Sequence, residues 1–166
     1  EHLLHTEWFH ADCLADYYQV PAWSEKHWEI VERFVRAAVR RGCTMLLTPH
    51  FTPALDTRVG GERTTVQLVD VAAEGDAYRF DFSRLKRWVD MALRCGVEQL
   101  EMSHLFTQWG AKAAPKVMAL KEGRLIRLFG WDTPAVGGEY TRFLHAYLPQ
   151  LIAQLRAWGV ADRVYF

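Results

Sequence analysis

Three times along this chain an amphipathic stretch ends at a glycine and passes at once into an extended, largely apolar run. The junctions read Arg41-Gly42-Cys43-Thr44-Met45-Leu46-Leu47, Cys95-Gly96-Val97-Glu98-Gln99-Leu100-Glu101 and Trp158-Gly159-Val160-Ala161-Asp162-Arg163-Val164-Tyr165-Phe166. Glycine enters the left-handed conformation that closes a helix more readily than any other residue, so each junction reads as helix, C′ turn, strand. A helix between two strands returns the chain to the end where the first strand began, so the strands lie parallel. The first strand is not followed by a Gly-rich phosphate fingerprint, and the pattern favours a β/α barrel over an open dinucleotide-binding sheet.

The elements between these junctions can be placed from periodicity. Leu3 to Phe9 is a short bounded run and reads as the first strand. From about Glu25 to Arg41, Trp28, Val31, Phe34, Val35 and Ala38 recur at helical spacing, with Ser24 as N-cap and Gly42 as terminator. Thr44–Thr48 follows as a buried strand. Ser83 precedes a second helix with the stripe Leu85, Trp88, Val89, Ala92 and Leu93, and Val97–Ser103 is the next strand. A third helix spans Glu139 to Trp158, with Pro149 expected to bend or break it. Arg163–Phe166 opens one more strand. The connections after the strands are long and carry two expected hairpins. One pairs Thr65–Val71 with Tyr78–Phe82 around Glu74-Gly75-Asp76, and the other pairs Lys116–Leu120 with Leu125–Phe129 around Glu122-Gly123. In a β/α barrel the loops after the strands build the active-site face, and the length asymmetry runs that way.

Charge excludes some partners. Lys plus Arg and Asp plus Glu each number 20, so no global field favours nucleic acid or an anionic membrane. No apolar run approaches the roughly 20 residues of a membrane span. The chain opens at Glu1 rather than Met, so the lack of a leader carries no weight and the compartment is left open. Cys13, Cys43 and Cys95 are an odd, widely spaced set, which argues against a disulfide framework or a structural zinc site; they are expected to be small buried residues. Seven tryptophans are many for this length. Trp28, Trp88 and Trp158 fit helix cores, whereas Trp8, Trp109 and Trp131 stand in loop-like contexts, where a flat ring with a polar N–H suits a sugar.

Polar residues collect where the strands end: Trp8-Phe9-His10-Ala11-Asp12, Thr48-Pro49-His50 and Glu101-Met102-Ser103-His104. Alternation along the first strand puts Trp8, His10 and Asp12 on one side, lining the mouth if that side faces the barrel axis. Two readings compete with ordinary loop bracing. In one, these side chains bind sugar hydroxyls while Trp8, Trp109 or Trp131 stacks on the ring. In the other, His10, His50, His104, Asp12 and Glu101 hold a metal, although none forms a tight ligand motif. Asp56 and Arg63 are expected to pair with each other or to serve the site.

Four ordered stretches carry a resemblance: Trp8 to Tyr18, Leu47 to Thr57, Gly60 to Val69 and Ser103 to Ala111, joined by Phe129-Gly130-Trp131 and the closing Asp162 to Phe166. They resemble glycoside hydrolase family 123, whose catalytic domain overlaps a bacterial domain of unknown function, number 4091. The likeness spans nearly the whole chain. It implies an α/β fold, a partial TIM (β/α)8 barrel of about four parallel strands and three helices with hairpin-bearing strand-to-helix loops. Residues 1–166 would then be a single incomplete barrel domain, truncated on its C-terminal side.

The resemblance also implies an activity: removal of terminal β-linked N-acetylgalactosamine with retention, by a substrate-assisted mechanism. The sugar's acetamido oxygen attacks the anomeric carbon, an Asp orients that group, and a neighbouring Glu acts as acid and then base. In the family this pair lies just after the strand matching Arg163–Phe166, in a His-x-Ser-Asp-Glu-Pro-like run. The catalytic pair is therefore expected after Phe166, and the polypeptide itself is expected to be inactive. Trp8, His10, Asp12, His50, Asp56, Glu101, His104, Gln108, Trp109 and Trp131 are the expected carbohydrate contacts, with no cofactor and no metal. The alternatives are a noncatalytic carbohydrate-binding module and a metal-dependent hydrolase. Four strands of an eight-stranded barrel would leave open edges and one bare face, so self-association is expected.

Overall fold

The computed structural model describes residues 3–75 and 77–166. Its central sheet is fully parallel and in chain order: β1 (Thr6–Glu7), β2 (Met45–Thr48), β5 (Gln99–Met102) and β8 (Val164–Tyr165). Between these strands run α1 (Ala11–Tyr18), α2 (Glu25–Val39), α3 (Ser83–Cys95) and α4 (Gly138–Ala157). Gly42, Gly96 and Gly159 take φ of 94°, 98° and 70° and turn each helix into the following strand, as expected.

The core follows from strand alternation. Leu46, Thr48, Leu100 and Met102 share one side, and there Trp88 of α3 donates its indole N–H to Thr48 Oγ1 at 3.1 Å. Val31, Val35, Leu85, Trp88, Val89 and Ala92 of α2 and α3 pack with Leu46 and Leu100 in one buried cluster. Met45, Leu47, Gln99 and Glu101 face the other way. That face was expected to be bare; Met45 and Leu47 are nevertheless buried, while Gln99 and Glu101 are half-buried.

A second sheet is built from the two hairpins. β3 (Asp70–Glu74) pairs antiparallel with β4 (Ala77–Asp81), and β6 (Val117–Lys121) with β7 (Arg124–Phe129). A short parallel pairing, Ala72↔Leu120 and Ala73↔Lys121, fuses them in the order β4-β3-β6-β7. The Gln67 side chain strengthens the junction, donating to Met118 O at 2.8 Å and accepting from Met118 N at 2.8 Å. Phe143 and Tyr147 of α4 pack against Phe80 and Phe129 of this sheet.

Several expectations need correction. The first strand ends at Glu7, and α1 begins at Ala11 with His10 as its N-cap residue. Alternation therefore does not relate Trp8, His10 and Asp12. The described residues hold four helices rather than three, because α1 was absent from the sequence reading. The first hairpin arm is Asp70–Glu74, not Thr65–Val71, and its turn residue Asp76 lies outside the described residues. Ser83 is the first residue of α3 rather than the residue preceding it; Asp81 Oδ1 accepts from Ser83 N at 2.8 Å. α4 continues unbroken through Pro149. Phe34 is exposed, and Cys13 is exposed whereas Cys43 and Cys95 are buried. Among the described residues, no helix is long and apolar enough to cross a membrane.

Candidate functional site

The C-terminal ends of β1, β2 and β5 lie side by side because the sheet is parallel and in register. Leu47 pairs with Glu101 and Thr48 with Met102, so the loops that follow leave from one edge. There a cavity of about 470 Å³ opens between the loops after β1, β2 and β5. Trp8, Leu55, Phe106 and Phe166 give it apolar walls; Glu101, His104 and Gln108 supply the polar groups. A largely apolar concavity with a few convergent polar groups is the usual form of a small-ligand site.

Two loop residues and one strand residue interlock at its centre. Trp8 donates its indole N–H to Glu101 Oε1 at 3.3 Å, and its ring meets His104 edge-on, centroids 5.6 Å apart and planes at 81°. Trp8 remains 46 % exposed, so its ring stays open to a ligand. The indole occupies one carboxylate oxygen of Glu101; no hydrogen bond engages Glu101 Oε2 among the described residues.

A second set stands at the rim. His10 Nε2 lies 3.0 Å from Asp56 Oδ2, and Asp56 donates its backbone N–H to Gln108 Oε1 at 2.9 Å. A carboxylate only accepts, so the proton of this contact sits on His10 Nε2. Trp109 donates its indole N–H to Thr57 O at 3.2 Å. Gln108 thus spends its side-chain carbonyl holding Asp56 in place.

The remaining candidates are bonded inside the fold. His50 is fully buried, with Ser103 O at 2.6 Å from Nε2 and the Tyr147 hydroxyl at 2.8 Å from Nδ1. The carbonyl requires Nε2–H; complete burial disfavours the imidazolium, so Nδ1 carries no proton and accepts from the tyrosine hydroxyl. Burial pushes the His50 pKa down to about 4, opposed by the Ser103 carbonyl and assisted by His104. Asp12 is buried and paired with Arg63, with Nε–Oδ2 at 2.6 Å and Nη2–Oδ1 at 3.2 Å. The expected Asp56–Arg63 pair is therefore not formed: Asp56 meets His10, and Arg63 meets Asp12. Trp131 donates to Gly61 O at 2.8 Å, in a loop also tied by Arg127 to Glu62 and Asp132. That Arg127 hydrogen bond, with Lys116 nearby, lowers the Glu62 pKa.

The structure therefore gathers Trp8, Glu101, His104 and Gln108 at the cavity and His10, Asp56 and Trp109 at its rim. Asp12, His50 and Trp131 brace the loops. The suggested metal ligands are dispersed: among the described residues no three His, Cys, Asp or Glu side chains stand close enough to hold an ion. Leu55, Phe106 and Phe166 were missed as lining; Phe106, an aromatic two residues after His104 in a loop, was the one readable signal.

The family model for the glycoside hydrolase 123 catalytic domain matches residues 8–166. No curated protein matches the chain. Matching solved structures include a family 123 glycoside hydrolase from Clostridium perfringens, studied for glycolipid glycan hydrolysis. Its TM-score is 0.73 at 14% identity, over 97% of this chain and 28% of that one. The chain thus spans 28% of the length of that protein.

Proposed function

Because the chain belongs to glycoside hydrolase family 123, we propose that its cavity receives the terminal sugar of a glycan, a β-linked N-acetylgalactosamine. The observation that carries this reading is the position of the cavity: it opens at the C-terminal ends of parallel strands, where β/α-barrel enzymes place their active sites. On this reading the four strands, which follow chain order without reversal, are part of a TIM-barrel wall.

The side chains divide the work of holding an N-acetylhexosamine. Trp8 offers its ring face to the apolar side of the sugar, and His104 fixes the orientation of that ring. Glu101 Oε2 accepts from a sugar hydroxyl while Oε1 stays on the Trp8 indole. Leu55 and Phe106 offer apolar contact to the acetamido methyl. The chemistry that goes with this pose is substrate-assisted. The acetamido oxygen bonds to the anomeric carbon as the bond to the leaving oxygen breaks, and a protonated carboxyl delivers its proton to that oxygen. Water then opens the oxazolinium intermediate with net retention. Glu101 is the single carboxylate lining the cavity among the described residues. The resemblance gives the acetamido-orienting and acid–base roles to an Asp-Glu pair in a His-x-Ser-Asp-Glu-Pro-like run, a run that residues 1–166 do not contain.

The test is a titration of the ¹⁵N-labelled chain with N-acetylgalactosamine and, separately, galactose. The Trp8 indole N–H signal, identified by its loss in Trp8→Phe, is expected to move with the first sugar and much less with the second. Equal response to both sinks the acetamido assignment, and silence with both sinks the sugar site. Heat-labile hydrolysis of an aryl N-acetyl-β-galactosaminide by residues 1–166 would overturn the assignment of the acid–base chemistry to that Asp-Glu run.

A further inference from the structure

If the cavity encloses a terminal sugar, the rest of the glycan leaves through its mouth, and whatever stands on the rim meets it. Trp109 stands there. Its neighbours Gln108 and Ala111 both line the cavity, but Trp109 does not; it is 64 % exposed. Large aromatic rings are normally drawn inward by the area they would otherwise expose. This one is held outward by its indole bond to Thr57 O and by an unusual backbone: Trp109, Gly110 and Ala111 take φ of 69°, 96° and 54° in succession. A tryptophan and an alanine disfavour that left-handed region, so the loop is strained to display the ring.

Beside it, Asp56 also has a positive φ of 54°, and its side chain is 59% exposed. His10 engages Oδ2 and Gln108 holds the backbone N–H, while Oδ1 has no hydrogen bond among the described residues. The two loops are zipped together: Gln108 N also donates to Ala54 O at 3.4 Å. A fixed flat apolar face next to a fixed acceptor oxygen matches a pyranose, which has an apolar C–H face and hydroxyls around its edge.

We propose that Trp109 and Asp56 form a second sugar subsite outside the cavity, holding the residue on the leaving-group side of the scissile linkage. The ligand is then an oligosaccharide or glycoconjugate rather than a simple glycoside. This rests on the carbohydrate reading of the cavity and extends it. Trp109 supplies the stacking platform, Asp56 Oδ1 takes a hydroxyl proton, and His10 and Gln108 are positioning residues for Asp56.

The experiment compares N-acetylgalactosamine with a disaccharide that carries it β-linked at the non-reducing end, by NMR on the full chain. The Trp109 indole signal, identified by its loss in Trp109→Phe, is expected to move with the disaccharide and stay still with the monosaccharide. Trp109→Ala is expected to weaken disaccharide binding roughly tenfold, the scale of one aromatic platform, with monosaccharide affinity retained. Asp56→Asn, which keeps shape but removes charge, weakens the disaccharide alone and to a lesser degree. A Trp109 signal silent to the disaccharide, or an equal loss for both sugars in Trp109→Ala, overturns the subsite. The cavity is read separately, from the Trp8 indole. Trp8 silent while Trp109 responds removes the cavity reading and with it the leaving-group assignment, keeping only a sugar-binding outer surface; Trp8 responding alone keeps the cavity and overturns the subsite.

Discussion

His50 makes the acid sensitivity of this fold a quantitative matter. The imidazole is fully buried, donates to Ser103 O and accepts from the Tyr147 hydroxyl, and its pKa is pushed from 6.5 down to about 4. The unfolded chain binds a proton near pH 6.5 that the folded chain refuses until about pH 4. A depressed folded-state pKa means that stability is complete above 6.5 and is lost as pH falls toward 4. Linkage puts the loss at about 2 kcal/mol by pH 5 and about 3 kcal/mol by pH 4, relative to pH 7. His50→Gln removes the titration but keeps both bonds, since the amide N–H₂ can donate to Ser103 O and its oxygen can accept from Tyr147. Urea unfolding at pH 7, 5 and 4 should show the variant losing about 3 kcal/mol less than wild type between the extremes. Other acid-sensitive groups, including buried His27 and the ion-paired carboxylates of Glu25, Glu32 and Glu62, are common to both proteins and cancel in the difference. Parallel stability-against-pH curves for the two proteins would refute the buried, neutral assignment.

Arg63→Met should destabilise the chain by about 3–5 kcal/mol, because it strands the buried Asp12 carboxylate; adding Asp12→Asn should recover much of this, as read by thermal unfolding. Gly96→Ala should cost about 1–2 kcal/mol, since φ is 98° and the new Cβ would sit 3.2 Å from Val39 Cγ1; unchanged stability would contradict that backbone. β1 and β8 are the sheet edges, with Tyr165 of β8 and the adjoining Phe166 exposed, so sedimentation should show self-association that rises with concentration and falls on Tyr165→Lys. A monomer at high concentration would count against the open edge.

The parallel sheet was legible because its signal is local. Each helix, glycine and strand junction is a few residues long, and the left-handed φ at Gly42, Gly96 and Gly159 is a property only glycine carries without strain. α1 was not legible for the converse reason. Its eight residues, Ala11 to Tyr18, span barely two turns, and the preceding Thr6–Glu7 strand invited the alternation to continue. The structure shows what decides it: Asp12 stands in the first turn, and the buried His27 ring bonds Ala11 O at 2.9 Å, a contact from α2. The fused hairpin sheet was hidden in the same way. Its hairpins were read with their turns, but the Ala72↔Leu120 pairing that joins them has no local signature.

The site was legible in its residue types and not in their division of labour. His10, His50 and His104 each stand near a strand end, yet one reaches a rim carboxylate, one is sealed and one meets an indole. What separates them is supplied from far along the chain: Tyr147 is 97 residues from His50, and Glu101 is 93 from Trp8. Arg63 shows why the sealed tier matters to the open one. It holds Asp12, two residues after His10, and donates to Leu55 O at 3.2 Å, immediately before Asp56. One guanidinium therefore joins the two backbone segments whose side chains meet at the rim. A charge-assisted, bidentate contact is directional, so the His10–Asp56 distance is set from beneath rather than by the exposed pair itself. The expected Asp56–Arg63 pair would have consumed the rim carboxylate; the observed pairing with Asp12 leaves Asp56 Oδ1 free to take a ligand hydroxyl among the described residues.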